Sequence, residues 1–182
     1  MDKNLIDFFF KQAEIGNWDK FTIDDAIKKL KLNDKEFKRK IPNKETFLKK
    51  YNELVDKQVL NEIDKSDLEN SDKHEILQEF LMSKLEKMTP YKLAIANLLN
   101  YSITKPKLIL LGIKSNKESI KKYIEVVQEN KLTYKEKILT KLVLGIWLIA
   151  LNKWLYEENN ETSYAIIDKS IKKIKKNTSF FQ

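Results

Sequence analysis

Phe21-Thr-Ile-Asp-Asp-Ala-Ile-Lys-Lys-Leu-Lys-Leu-Asn-Asp-Lys-Glu-Phe-Lys-Arg-Lys-Ile-Pro-Asn-Lys-Glu-Thr-Phe-Leu48 is the stretch whose reading decides the fold. Thr22 is placed to cap a helix, and Asp25, three residues on, approximates a capping box. Ile23, Ala26, Ile27 and Leu30 follow at the spacing of one helical face. Leu32-Asn33 makes a turn, and Asn33 caps a second short helix over 34–40. Phe37 and Ile41, four residues apart, anchor that helix inward. Pro42 stops it, because the residue before a proline avoids the helical region. Asn43 then caps a longer helix beginning at Lys44-Glu45. The second short helix carries Lys35, Lys38, Arg39 and Lys40. Helix-turn-helix units that enter DNA have this layout, and the same layout also survives as plain architecture once DNA binding is lost.

Outward from this segment the periodicity stays helical. Leu5, Ile6, Phe8, Phe9, Gln12, Ala13 and Ile15 trace an apolar face that Gly16 ends, with Trp18 and Phe21 in the connection that follows. The helix from Lys44 carries Phe47, Leu48, Tyr51, Leu54, Val55 and Val59 to about Asp64, and the polar run Lys65–Ser71 reads as a boundary. Further helices are expected around Ile76–Leu85, from Pro90 through Tyr101, from Pro106 to Gly112, and from a Ser115 cap through Val127. The longest, Tyr134–Glu157, is apolar nearly all round, and Thr162 caps the last. A helix apolar on most faces must be buried on most faces. In a chain this small, the helix from Tyr134 therefore calls for a second subunit, with the last helix completing half of a four-helix dimer interface.

Composition agrees with an all-helical class. Only three Gly and three Pro occur in 182 residues, too few breakers for a strand-and-turn protein. With no cysteine, disulfides, zinc-thiolate sites and thiol catalysis are excluded, and the count suits a reducing cytoplasm. The net charge is +8, which favours polyanionic partners. Lys28–Lys44 holds eight basic residues against Asp34 and Glu36, a local net of +6. A second cluster, Lys169, Lys172, Lys173, Lys175 and Lys176, suits the last turn of a helix and its dipole. No secretory signal is visible, and the apolar run Leu142–Leu151 falls short of the ~20 residues of a membrane span. The expected location is the cytoplasm.

The order of elements resembles the TetR family of transcriptional regulators: a three-helix unit, a fourth helix opening Pro-Asn-Lys-Glu, then further helices ending in an apolar pair. The family's unit runs Thr-Val-x-x-Ile-Ala-x-x-Ala-Gly-Val-Ser-x-x-x-Leu-Tyr-x-Tyr-Phe-x-Ser-Lys-Glu, and this chain aligns with it without a gap. Thr22-Ile23 opens, Ala26-Ile27 fills the core pair, Leu32-Asn33 and Phe37 follow, and Ile41-Pro42-Asn43-Lys44-Glu45 closes. Lys31 stands where the turn glycine is usual, Lys38 and Lys40 where tyrosines are usual, and Glu36 where a small residue is usual. Leu85-Glu-Lys-Met-Thr-Pro-Tyr-Lys-Leu93, Tyr134-Lys-Glu-Lys137 and Trp154-Leu-Tyr-Glu-Glu158 are also similar to a sister family of that fold, the lipid-binding accessory proteins of ubiquinone biosynthesis, whose helix-turn-helix is degenerate.

The first resemblance implies a DNA-binding domain over 1–46 and a helical ligand-binding and dimerisation domain over 47–182. It implies a ligand-responsive regulator, a repressor in the usual case, acting on double-stranded DNA as a homodimer through helices 134–157 and 162–176. The DNA-contacting set would be Thr22, Asn33, Lys35, Glu36, Lys38, Arg39, Lys40 and Lys44. Arg39 is suited to a bidentate guanine contact, the lysines to phosphates, and Thr22 and Lys44 to helix N-termini that favour phosphate. Phe80, Tyr91, Leu98, Tyr101, Tyr123 and Trp147 would line a cavity for an apolar effector, a lipid, quinone or aromatic molecule. The alternative is a lipid- or quinone-binding accessory protein without DNA binding. No catalytic constellation, cofactor or metal is expected. The lone His74, beside Asp72 and Glu75, reads as a surface helix start.

Overall fold

A computed structural model describes residues 1–62, 71–128 and 134–181. The described structure is all-α: α1 (Lys3–Glu14), α2 (Ile23–Leu30), α3 (Asp34–Lys40), α4 (Lys44–Glu62), α5 (Lys73–Met88), a 3-10 turn (Thr89–Tyr91), α6 (Lys92–Ser102), α7 (Pro106–Gln128), α8 (Tyr134–Tyr156) and α9 (Glu161–Asn177). The expected boundary at Lys65–Ser71 lies outside the described residues but for Ser71. By contact the chain divides into two units. The first comprises Met1–Leu54 and Pro90–Ile113, the second Val55–Thr89 and Lys114–Gln182. The segment 1–46 lies wholly in the first.

In the first unit the helix starts follow from caps. Thr22 Oγ accepts the Asp25 N–H at 3.2 Å, and the Asp25 carboxylate accepts the Thr22 N–H at 2.7 Å, so each of two otherwise orphaned donors is met. Asn33 Oδ1 accepts the Glu36 N–H at 3.0 Å, and Asn43 Oδ1 the Thr46 N–H at 2.8 Å. The core is aromatic: Phe9 stacks on Phe47 with centroids 4.0 Å apart, Phe10 stacks on Tyr91 at 4.5 Å, and Phe21 meets Phe9 edge-on at 5.3 Å. Phe10 rather than Ile15 completes the buried face of α1. Ile15 has left the helix as its C-cap and is exposed. The turn between α2 and α3 is made at Lys31, with φ 52° and ψ 44°, the one non-glycine residue of positive φ among those described. A left-handed backbone crowds Cβ against the carbonyl, which is why glycine is usual at such a turn.

In the second unit α9 packs on α8 and α5, with Leu77, Leu81, Val143, Trp147, Trp154, Ile167 and Ile171 fully buried. Gly112 does not end a helix as the sequence reading has it. Pro106–Gln128 is continuous, so no new helix starts at Ser115. A helix-interior glycine costs only about 1 kcal/mol, and the packing of Ile120, Tyr123, Ile124 and Val127 outweighs that. Thr162 is not the cap of α9 either. The Glu157 carboxylate accepts from the N–H groups of Thr162 and Ser163 at 3.1 and 3.2 Å, an acid at the positive end of the dipole.

Among the described residues Tyr134–Tyr156 is the one helix long and apolar enough, by length and composition, to cross a membrane. Its apolar character thus extends past the Leu142–Leu151 run. Leu142, Ile149 and Tyr156, seven residues apart in turn, are exposed on it.

Lys31→Gly is expected to raise the free energy of unfolding by about 0.5–1 kcal/mol, because relief of the left-handed penalty exceeds the chain entropy that glycine adds. Urea unfolding followed by circular dichroism measures this, and an unchanged or lower midpoint would contradict it.

Candidate nucleic-acid interface

Six of the seven α3 residues are exposed, and Phe37 alone is buried as its anchor. The two helices of the motif are tied by charge. Lys38 Nζ lies 2.7 Å from Asp24 on α2 and 2.9 Å from Asp34 on its own helix, and these two carboxylates push its pKa up to about 12. Lys40 Nζ pairs with Glu36 at 2.6 Å, and that bond holds the Glu36 carboxyl below its ordinary value. Lys35 and Arg39 have no carboxylate partner among the described residues. Of the four cations on α3, these two therefore present unneutralised charge, and Arg39 alone has the planar fork that matches a guanine edge. The oxygens of Thr22 and Asn33 are engaged in their caps.

Lys44 is placed differently from the other cations. Its ammonium turns inward and donates to the carbonyls of Trp18 at 2.5 Å and Phe21 at 3.0 Å. It sits over the Phe21 ring, 4.8 Å from the centroid. Desolvation lowers its pKa. Two of its three N–H donors are thus given to the α1–α2 connection. Lys20, Lys28 and Lys29 border an open groove in the same unit, lined also by Phe8, Phe21 and one carboxylate, Asp25.

The six side chains expected to line one cavity are divided between the units: Tyr91, Leu98 and Tyr101 in the first, Phe80, Tyr123 and Trp147 in the second. Tyr91 and Tyr101 have polar tasks. Their hydroxyls donate to Asp7 at 2.6 Å and Asp19 at 2.5 Å, and both pKa values are raised to about 12, Tyr91 chiefly by burial and Tyr101 chiefly by its bond to Asp19. Asn97 Nδ2 adds bonds to the carbonyls of Ala13 and Glu14 at 3.3 and 3.0 Å. Three side chains of Tyr91–Tyr101 thus bind α1 and the loop after it.

Phe80 and Tyr123 stack at 5.0 Å beside a buried polar cluster that the periodicity does not announce. Lys84 Nζ donates to Asp56 Oδ1 at 2.7 Å and Ser119 Oγ at 2.8 Å. Ser119 Oγ and Tyr123 OH donate to the same carboxylate at 2.6 and 2.7 Å, and the ammonium lies 5.5 Å from the Trp147 ring centroid. Asp56 and Lys84 are 2% and 1% exposed, and desolvation lowers the Lys84 pKa. A lysine on the apolar stripe of α5 was the only sequence signal for this cluster. His74 is buried rather than at the surface. It groups with Asp72 and Glu75, and Lys175 Nζ lies 2.8 Å from Asp72 and 3.5 Å from His74 Nε2, a cation supplied by the chain itself.

No family model, curated protein or solved structure matches this chain.

Two substitutions test these inward lysines. Lys84→Met is expected to cost about 3–5 kcal/mol, because it strands a buried carboxylate, and Lys84→Met with Asp56→Leu is expected to recover much of that loss. Thermal and urea unfolding of the cycle would expose a non-additivity of that sign or refute it. Lys44→Ala is expected to cost about 1–3 kcal/mol, as two carbonyls lose their donor. A variant as stable as the parent in the same urea titration would show those bonds to be dispensable.

Proposed function

We propose that the chain is a TetR-like DNA-binding regulator acting as a homodimer, with α3 as the helix that enters the major groove. The observation that carries this reading is the turn at Lys31. There α2 and α3 are joined through a left-handed residue at the position where the family's unit has glycine, with Arg39 and Lys35 outward and uncompensated. A left-handed lysine at a surface turn carries a local cost, and the turn it makes sets α3 with its charged side exposed. Dimerisation through α8 and α9 belongs to the proposal. The heptad-spaced exposed side chains Leu142, Ile149 and Tyr156 give a second copy an apolar seam to cover. Two-fold symmetry then asks for half-sites about 34–36 Å apart. An apolar effector that altered the spacing of the two α3 helices would relieve repression.

The charge pairs sharpen the proposal. Lys38 and Lys40 give little to a phosphate while Asp24, Asp34 and Glu36 hold them, so Lys35 and Arg39 carry most of the contact. The test is a low-salt selection from genomic fragments followed by gel shifts at several salt concentrations. Selected duplexes are expected to be palindromic and to take up two chains each. Arg39→Ala is expected to relax preference at one base position, at about 1–3 kcal/mol. Lys35→Ala is expected to weaken all duplexes alike and lower the salt slope by about one. Absence of duplex binding at low salt rejects the proposal.

A further inference from the structure

Twelve large apolar side chains are exposed among the described residues, and six of them lie between Leu93 and Ile113 in the first unit. Ile103 and Leu110, at 70% and 65%, are the most open of the six. On α6, Leu99 and the C-cap Ile103 are one turn apart, and on the first turns of α7 Ile109 and Ile113 are again one turn apart beside Leu110. The basic residues of this corner are Lys105 and Lys107, and from Lys87 to Lys117 the sequence contains no Asp or Glu. Lys105 lies over the Tyr101 ring at 5.6 Å. Asp19, the carboxylate that feels its charge, is itself bonded by Tyr101 at 2.5 Å.

A partner for this face must offer apolar volume and negative charge together. A second copy docking the same face would set lysines against lysines. A DNA duplex has charge, but it takes apolar side chains such as Ile103 and Leu110 only by unstacking base steps. An anionic bilayer has both: acyl chains just below the surface take shallow aliphatic side chains, and phosphates above them take lysines. We propose that the α6–α7 corner, centred on Ile103, Lys105, Lys107 and Leu110, docks on an anionic membrane surface without crossing it. This surface is separate from α3, so it adds to the DNA reading and does not depend on it.

The experiment is flotation of the full chain with phosphatidylcholine vesicles, with and without phosphatidylglycerol. Binding is expected only with phosphatidylglycerol, and should weaken as salt rises from about 0.05 M to about 0.5 M. Lys105→Ala with Lys107→Ala is expected to lower partitioning about thirtyfold. Ile103→Asp with Leu110→Asp is expected to lower it about a hundredfold or more. All four positions are exposed, so the variants should keep the parent's circular dichroism, unfolding midpoint and any DNA affinity. No flotation at low salt, equal flotation with neutral vesicles, or undiminished binding by the aspartate variant would each overturn the proposal. So would an aspartate variant that loses a self-association the parent shows by light scattering, since a second copy would then be the occupant.

Discussion

An ammonium removed from water must be met by acceptors, and that requirement organises both units of this chain. In the second, Lys84 gathers Asp56 from α4 and Ser119 from α7, and Tyr123 completes the carboxylate's partners. Three helices are thereby fixed in register at a point where apolar packing alone would tolerate sliding. In the first, Lys44 reaches back to two carbonyls of the connection between α1 and α2. The start of α4 is thus tied to that connection just before the Thr22 cap of α2. In the sequence Lys84 is marked only by its place on the apolar stripe of α5, and nothing marks Lys44 off from the other basic residues.

The exposed cations of α2 and α3 are governed by the opposite circumstance, a surplus of charge in water. Three of the nearby carboxylates are already taken, two by Lys38 and one by Lys40. Exposed pairs of this kind contribute little stability, but they decide which side chains are available to a polyanion. The local net charge of the segment therefore overstates its usable positive surface, which narrows to Lys31, Lys35, Arg39 and the lysines bordering the groove beside Phe21.

The run of short capped helices from Thr22 to Lys44 was legible because its determinants are local. Thr22, Asp25, Asn33 and Asn43 cap helices within their own sequence neighbourhoods, and Pro42 acts on the residue beside it. Lys31, by contrast, adopts a left-handed backbone that nothing in its residue type favours. Local rules misled where a punctuating residue was outweighed. Gly112 sits inside a continuous helix, and Thr162 yields to Glu157, five residues before it. Tyr91 and Tyr101 were grouped with Phe80, Tyr123 and Trp147 because all are aromatic. The fold separates them, sending the first two to carboxylates of the α1 region and the others to the Lys84 cluster.

The sequence by itself determined the all-helical class, the capped helices from Thr22 to Lys44 and the anchors Phe37 and Ile41, because periodicity and capping act over three or four residues. Only the tertiary structure decided which lysines are buried, which are neutralised and which remain open, and that apolar residues of α6 and α7 are left exposed. Those outcomes depend on residues brought together across 28 positions for Lys84 and Asp56 and 26 for Lys44 and Trp18. Burial and charge pairing at such separations are properties of the packed chain, not of any segment within it.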